Sequence, residues 1–343
     1  MKILDFAKNL NSLGVPEGTM EVLRDSIQLC SEYPEAYSND DLKKVFAEAN
    51  NLDNSTVTFG AGATEIIYNL PRILNEGRVL IPSPTFWQYT ASSRREKKQI
   101  VRFPIGPTSD FQVDYGELRK EIEKSAVVYL CNPNNPTSKL YDTEIIKTLA
   151  AEYPHVDFVI DETYLLFIPE FQKRSLMAFA ASVENVYVVI SFSKFYSIPG
   201  LRTGILVSSS DNIQSYEENM IPYTLSPISV PAIKHVLRDR DFVNSTRQIF
   251  GDRINQTYAL AMDTFSQDTV EVIKPEGPFV LLGFKEGISS TEIEKKLKER
   301  GLLVRDCATI DGLADKWVRA SCRSRDEMEQ LFVNLSDIIQ TDI

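Results

Sequence analysis

The sequence predicts an α/β protein with a mostly parallel central sheet flanked by helices, and a smaller α+β lobe after it. Three observations predict this. Short continuous runs of β-branched and aromatic residues, as strands buried on both faces require, alternate with helical patterns. The residues closing these runs are polar, and they fall at the strands' C-terminal ends, where open α/β sheets place ligands. Past Val207 the alternation stops, and Pro222, Pro227 and Pro231 punctuate a hinge before long helices. The expected division is an N-terminal segment (residues 1–30) packing with the small lobe, a large domain (31–225) and a small C-terminal domain (226–343).

In chain order, Asn9 to Pro16 carries polar turn formers and reads as irregular, with a helix expected from about Glu17 to Leu29. Ser31 to Glu35 is a break, and Asp40-Asp41 start a helix with Leu42, Val45 and Phe46 on one side. Val57-Thr58-Phe59 is a brief strand entering Gly60-Ala61-Gly62-Ala63-Thr64-Glu65. The glycines let backbone amides approach a ligand, and the next helix points its N-terminus at them, which suits an anion. Pro71 kinks that helix. Arg78 to Pro82 is a strand leading to Ser83-Pro84-Thr85-Phe86-Trp87-Gln88-Tyr89, whose aromatics can stack on a flat ring or fill the core. Ala126 to Leu130 is a strand ending in Cys131-Asn132-Pro133-Asn134-Asn135-Pro136-Thr137, a rigid polar loop. A helix over about Thr143 to Glu152 precedes the strand Val156 to Ile160, which ends in Asp161-Glu162-Thr163-Tyr164. In the second lobe, strands are expected near Phe279–Leu282, Leu302–Arg305 and Trp317–Ala320. Ser289 to Glu292 forms a capping box opening a helix that stops at Gly301, and a last helix starts near Arg325.

The chemistry gathers on Val186 to Gly204. The buried strand Val186–Ile190 ends in Ser191, Ser193 and Lys194, and Arg202 follows eight residues after the lysine. Burial lowers a lysine's pKa, and the neutral amine attacks an aldehyde to form a Schiff base. Hydroxyls and a guanidinium are what a phosphate needs. Together they point to pyridoxal phosphate held at Lys194; the alternative is a strand-end lysine reaching solvent. Arg305, Arg319, Arg323 and Arg325 lie close together, and Arg319 sits within a strand pattern, where an arginine needs an anion.

Composition narrows the partners. An excess of 48 acidic over 37 basic residues, net −11, argues against nucleic acid or an anionic membrane and leaves room for a small anion held by local arginines. No run is long enough to span a membrane and Met1 to Asp5 is no signal peptide, so a cytoplasmic protein is expected. The four cysteines lack CxxC spacing and there are only two histidines, so no metal site is expected, nor most hydrolase mechanisms.

Asn9-x-Asn11, Tyr33-Pro34, the Gly60–Glu65 turn, Asn132-Pro133-Asn134-Asn135-Pro136-Thr137, Asp161-Glu162-Thr163-Tyr164 and Ser193-Lys194 through Arg202 resemble fold-type I pyridoxal-phosphate enzymes of the class I and II aminotransferase superfamily, histidinol-phosphate aminotransferase branch. The stretch from Ser193 to Arg202, and Leu302 to Ala308 with Gly312-Leu313, Val318-Arg319 and Arg323-Ser324, resemble L-threonine-O-3-phosphate decarboxylases more closely. The resemblance spans essentially the whole chain. It implies that Lys194 carries the cofactor and shuttles a proton, that Asp161 pairs with the ring nitrogen, and that Asn135 and Tyr164 bond the phenolic oxygen while Phe86 stacks on the ring. It also implies that Ala63, Thr64, Ser191, Ser193 and Arg202 hold the cofactor phosphate, with Tyr33 reaching it from a second subunit of a homodimer. Asn11, Arg305, Arg319 and Arg323 are the implied holders of the substrate's carboxylate and phosphate. The implied activity is decarboxylation of an O-phosphorylated amino acid, as in cobamide side-chain synthesis. The alternatives are an aminotransferase of histidinol-phosphate type and a non-catalytic binding protein on the same fold. Three positions depart from the family pattern: Ser138 stands for a usual glycine, Gly277-Pro278-Phe279 for Ala-Asn-aromatic, and Ser226 for a common asparagine.

Overall fold

The computed structural model describes residues 3–36, 39–285 and 287–341. Thirteen strands are seen among them: β1 (Leu4–Asp5), β2 (Val57–Gly60), β3 (Arg78–Ser83), β4 (Gln99–Pro104), β5 (Val127–Cys131), β6 (Asp157–Asp161), β7 (Val186–Ser191), β8 (Gly204–Val207), β9 (Val270–Ile273), β10 (Phe279–Phe284), β11 (Leu302–Leu303), β12 (Arg305–Asp306) and β13 (Trp317–Ser321). Seven form the large sheet in the order β2-β8-β7-β6-β5-β3-β4, and only β8 runs against the others. The order reverses between β3 and β5, leaving a crevice at the strands' C-terminal ends.

The large sheet is apolar on both faces because helices cover both. Leu80, Val128, Phe158, Ile160, Val188 and Ile190 face a core closed by helices 40–50, 115–122 and 143–152. Their alternates Val79, Ile81, Tyr129, Val159 and Val189 face a second core under helices 63–69, 88–95 and 210–219. This is why the strands read as unbroken apolar runs rather than alternating ones. Asp142 starts the helix 143–152 by accepting from the amides of Glu144 and Ile145, so the chain returns to β6 in register.

A four-stranded antiparallel sheet, β12-β13-β10-β9, packs on helices 290–299 and 325–341. Ser289 caps the first of these, its hydroxyl accepting from the Glu292 amide. The helices 229–238 and 240–264 follow the proline-rich stretch, and Pro231 lies in the first turn of the former, where its missing N–H costs nothing. Their residues Ile233, Val236, Phe250 and Ile254 pack into the large core, whereas Ala261 packs into the small one. Residues 4–12 run between the two sheets. Leu4 and Asp5 pair in parallel with Leu302 and Leu303, the Phe6 carbonyl accepts from Ser321, and the Asn11 amide donates to the Lys194 carbonyl.

Candidate active site

The ends of β3, β5, β6 and β7 open into a cavity of about 400 Å³. Ala63, Thr64, Phe86, Asn135, Asp161, Tyr164, Ser191, Ser193, Lys194, Arg202, Arg305 and Arg319 all line it, although they span some 250 residues of chain. Several separate turns and strands deliver them. β6 ends in Asp161; β7 ends in Ser191 and passes into a helical turn, Phe192–Phe195, that carries Ser193 and Lys194.

Three expected residues lie outside the cavity wall. The Asn11 side chain is buried, donating to the Phe195 carbonyl at 2.8 Å and accepting from Leu13. It braces the segment that holds Lys194. Arg323 pairs with Glu327 at 2.8 Å and lies over the Phe6 ring. Tyr33 is 90% exposed, edge-on to Tyr223. Conversely Lys8 and Ile310 line the cavity though no motif pointed to them, and Thr85, Trp87, Cys131 and Thr163 line it from within motifs read chiefly for their neighbours. Thr163 lay within a quoted motif: its hydroxyl accepts from the Ser191 amide at 3.1 Å, tying the ends of β6 and β7 together.

Burial and charge set the site's electrostatics. Burial, aided by Arg319 and Arg202, holds the Lys194 ammonium below the usual lysine range. Its Nζ donates to the Lys8 carbonyl at 3.1 Å. Burial pushes the Asp161 carboxyl up, while donors at Thr163 and Tyr89 oppose the shift. Among the described residues no cation pairs with Asp161, so a buried carboxylate waits there for a positive partner. Arg319 is buried too; burial, with Arg305 adding to it, lowers its pKa. It donates to the Asn135 side chain and to the Ala7 carbonyl at 2.6 Å, leaving its Nε without a partner.

The Ser193 hydroxyl, also at the cavity, is buried and likewise lacks a partner. Arg202, at φ 50°, crosses Gly62, where a Cβ would meet its guanidinium at 2.5 Å. Gly204 is required as well, because a Cβ there would lie 2.3 Å from the Ala63 amide nitrogen. An unpaired hydroxyl, a guanidinium and a side-chain-free cradle fit a phosphate, and the lone carboxylate fits a protonated ring nitrogen. These residues fit pyridoxal phosphate.

Two family departures meet in space. The Gly277 amide donates to the Ser138 hydroxyl at 2.9 Å, and a Cβ at 277 would come within 3.0 Å of that oxygen. An alanine there would also crowd the Pro133 Cβ, at 2.9 Å. Phe279 follows, placing its ring under Arg319 at 5.4 Å and edge-on to Tyr164 at 4.9 Å.

The model of the family "aminotransferase class I and II" matches residues 1–335. The chain belongs to that family. It is a pyridoxal-phosphate-dependent enzyme of fold type I. A protein of Caldanaerobacter subterraneus subsp. tengcongensis, provisionally named a threonine-phosphate decarboxylase, is 28% identical over 93% of this chain and 86% of its own. A histidinol-phosphate aminotransferase of Methanococcus maripaludis is also 28% identical, over 99% of this chain and 91% of its own. The crystal structure of L-threonine-O-3-phosphate decarboxylase from Porphyromonas gingivalis superposes with a TM-score of 0.88 at 24% identity, covering 99% of this chain and 100% of that one. At that identity the likeness speaks for the fold.

Proposed function

We propose that this member of the family decarboxylates an O-phosphorylated amino acid, L-threonine-O-3-phosphate or O-phosphoserine, to the amino-alcohol phosphate used in cobamide side chains. The observation that carries the reading is the register of the small sheet. Arg305 on β12 stands directly opposite Arg319 on β13, and both reach the cavity. Like charges directly opposed across a ladder repel. Among the described residues no carboxylate pairs with either, and Arg305 donates only to the Thr309 hydroxyl at 3.2 Å. Such a pair is built for a ligand with concentrated negative charge. Of the cations on the cavity wall, Lys8 is already paired with Asp5 at 2.8 Å and Lys194 is the lysine that carries the cofactor, which leaves Arg202, Arg305 and Arg319 against one carboxylate, Asp161, in a chain of net charge −11. The cofactor phosphate answers only part of that excess; a substrate bearing both carboxylate and phosphate answers the rest.

When bound, pyridoxal phosphate supplies an electron sink for a bond broken at the substrate's Cα. The chain does the rest. Asp161 would hold the proton on the ring nitrogen, Asn135 and Tyr164 would hold the phenolic oxygen, and Phe86 would cover the ring face. Ala63, Thr64, Ser191, Ser193 and Arg202 hold the cofactor phosphate. Lys194, kept short of its usual basicity, carries the cofactor and moves the proton at Cα. Arg305 and Arg319 fix the substrate's two anionic groups. A grip on the distal phosphate that leaves the carboxylate unheld would favour loss of carbon dioxide; a grip on the carboxylate itself would favour loss of the Cα proton and amino-group transfer. A charge-assisted hydrogen bond of ~1.5–3 kcal/mol biases that choice roughly ten- to a hundredfold.

The second reading, an aminotransferase of histidinol-phosphate type, draws on the equally similar Methanococcus relative. In either case the site is shared in a homodimer, with the exposed Tyr33 serving the neighbouring subunit. Incubation with O-phosphothreonine or O-phosphoserine and no keto acid is expected to release carbon dioxide. Turnover that begins only when a keto acid is added would establish the transferase instead.

A further inference from the structure

Tyr89 sits one residue into the helix 88–95, behind the cavity wall rather than on it, and is 1% exposed. Its hydroxyl donates to Asp161 Oδ2 at 2.8 Å, while the Thr163 amide donates to Oδ1 at 3.0 Å. The two carboxylate oxygens are therefore each pinned by one neutral donor, and the plane of the carboxylate is fixed. The ring of Tyr89 is itself clamped. One face stacks on Tyr129 at 5.2 Å and 19°, and its edge meets Phe86 at 5.6 Å and 80°. One buried side chain thus touches both groups that would grip the cofactor ring, the carboxylate at its nitrogen and the phenyl on its face. The phenol stays protonated at any working pH, since burial and the neighbouring Asp161 hold it well above the ordinary tyrosine range.

We propose that Tyr89 is a positioning residue, acting through Asp161 to aim and polarise that carboxylate toward the cofactor's ring nitrogen. The proposal rests on the reading that Asp161 pairs with that nitrogen. Without the phenol, Oδ2 loses its neutral donor, so the carboxylate is free to rotate away from the ring and is harder to keep ionised in a dry site. The ring's packing on Tyr129 and Phe86 would survive a Tyr89→Phe change.

The test is a double-mutant cycle of Tyr89→Phe and Asp161→Asn, read by pyridoxal phosphate titration and by the pH at which the visible band of the bound cofactor changes. Tyr89→Phe is expected to weaken cofactor binding about tenfold, the effect of losing one hydrogen bond to a charged group, and to move the band's transition pH. In the Asp161→Asn background the same change is expected to alter neither by more than about twofold. A Tyr89→Phe chain that binds cofactor like the parent, or whose loss is the same factor in both backgrounds with an unmoved band, would overturn the proposal. The melting temperature of each cofactor-free chain separates a general loss of packing from a local effect, and a uniform drop with additive binding losses counts against it. If Asp161→Asn alone leaves binding and band unchanged, the role of Asp161 fails, and the role of Tyr89 with it.

Discussion

Glu162 shows how one residue can sit beside a site and outside its chemistry. It follows Asp161 and points the opposite way, fully buried, accepting from the Ser175 hydroxyl and the Leu176 amide, each at 2.6 Å. Burial, above all, pushes its carboxyl up to about 7, and its two donors and Asp161 modulate that. The sign follows from linkage. A free glutamate loses its proton near pH ~4.3. Between there and about 7 the folded chain retains a proton that the unfolded chain has released, so stability falls as pH rises through this window. Between pH 5 and pH 8 the loss amounts to roughly 2.5 kcal/mol. Glu162→Gln removes the titration and keeps an oxygen for one donor. Urea denaturation of both chains at pH 5 and pH 8 is expected to show the parent losing ground to the variant by about that amount. Parallel pH profiles would mean that Glu162 is ionised throughout.

At the scale of elements, the parallel strands were legible because a strand covered on both faces needs an unbroken apolar run, as Val186–Ile190 and Val156–Ile160 have. Four strands were not. Gln99–Pro104 (β4) mixes arginine and glutamine with apolar residues, as an edge strand does; Gly204–Val207 (β8) follows directly on the Lys194–Arg202 motif; Val270–Ile273 (β9) is short. Leu4–Asp5 (β1) is only two residues, defined by a partner some 300 positions away. The site was legible where strand ends supply it, at Asn135, Asp161 and Lys194. It was not legible where tertiary packing supplies it, as with Lys8 and Tyr89. The hairpin-like pairing of β12 and β13 also lay beyond local pattern, and a prediction belongs to it. With Arg305 and Arg319 side by side, Arg319→Ala is expected to raise the KM for a phosphorylated amino acid about ten- to a hundredfold. Cofactor affinity should change by no more than a few-fold, because Arg202 and the serines, not Arg319, are the groups proposed to hold its phosphate. An equal loss of both would show that Arg319 serves the cofactor through Asn135 rather than the substrate.

Across the whole molecule, residues 4–12 couple the two sheets to the site. Phe6 is wholly buried in the small-sheet core, and backbone bonds to Leu303 and Ser321 fasten it on both sides. The next two carbonyls, of Ala7 and Lys8, accept from Arg319 and Lys194, the groups assigned here to substrate and cofactor. Asn11 then closes on Lys194 and Phe195. A segment so short has no core of its own, and its order is borrowed from the lobes it joins. Phe6→Ala therefore tests whether the joint is structural. Emptying that space is expected to cost ~3–5 kcal/mol, the usual loss for a buried phenylalanine. Because the segment's bonds reach both lobes, denaturant should still give one transition, with a lower midpoint and an unchanged slope. Cofactor affinity should fall as well, since the carbonyl that meets Lys194 is anchored two residues away. A loss under about 1 kcal/mol, or a weakened fold with undiminished cofactor affinity, would mean that the large sheet alone sets the position of Lys194.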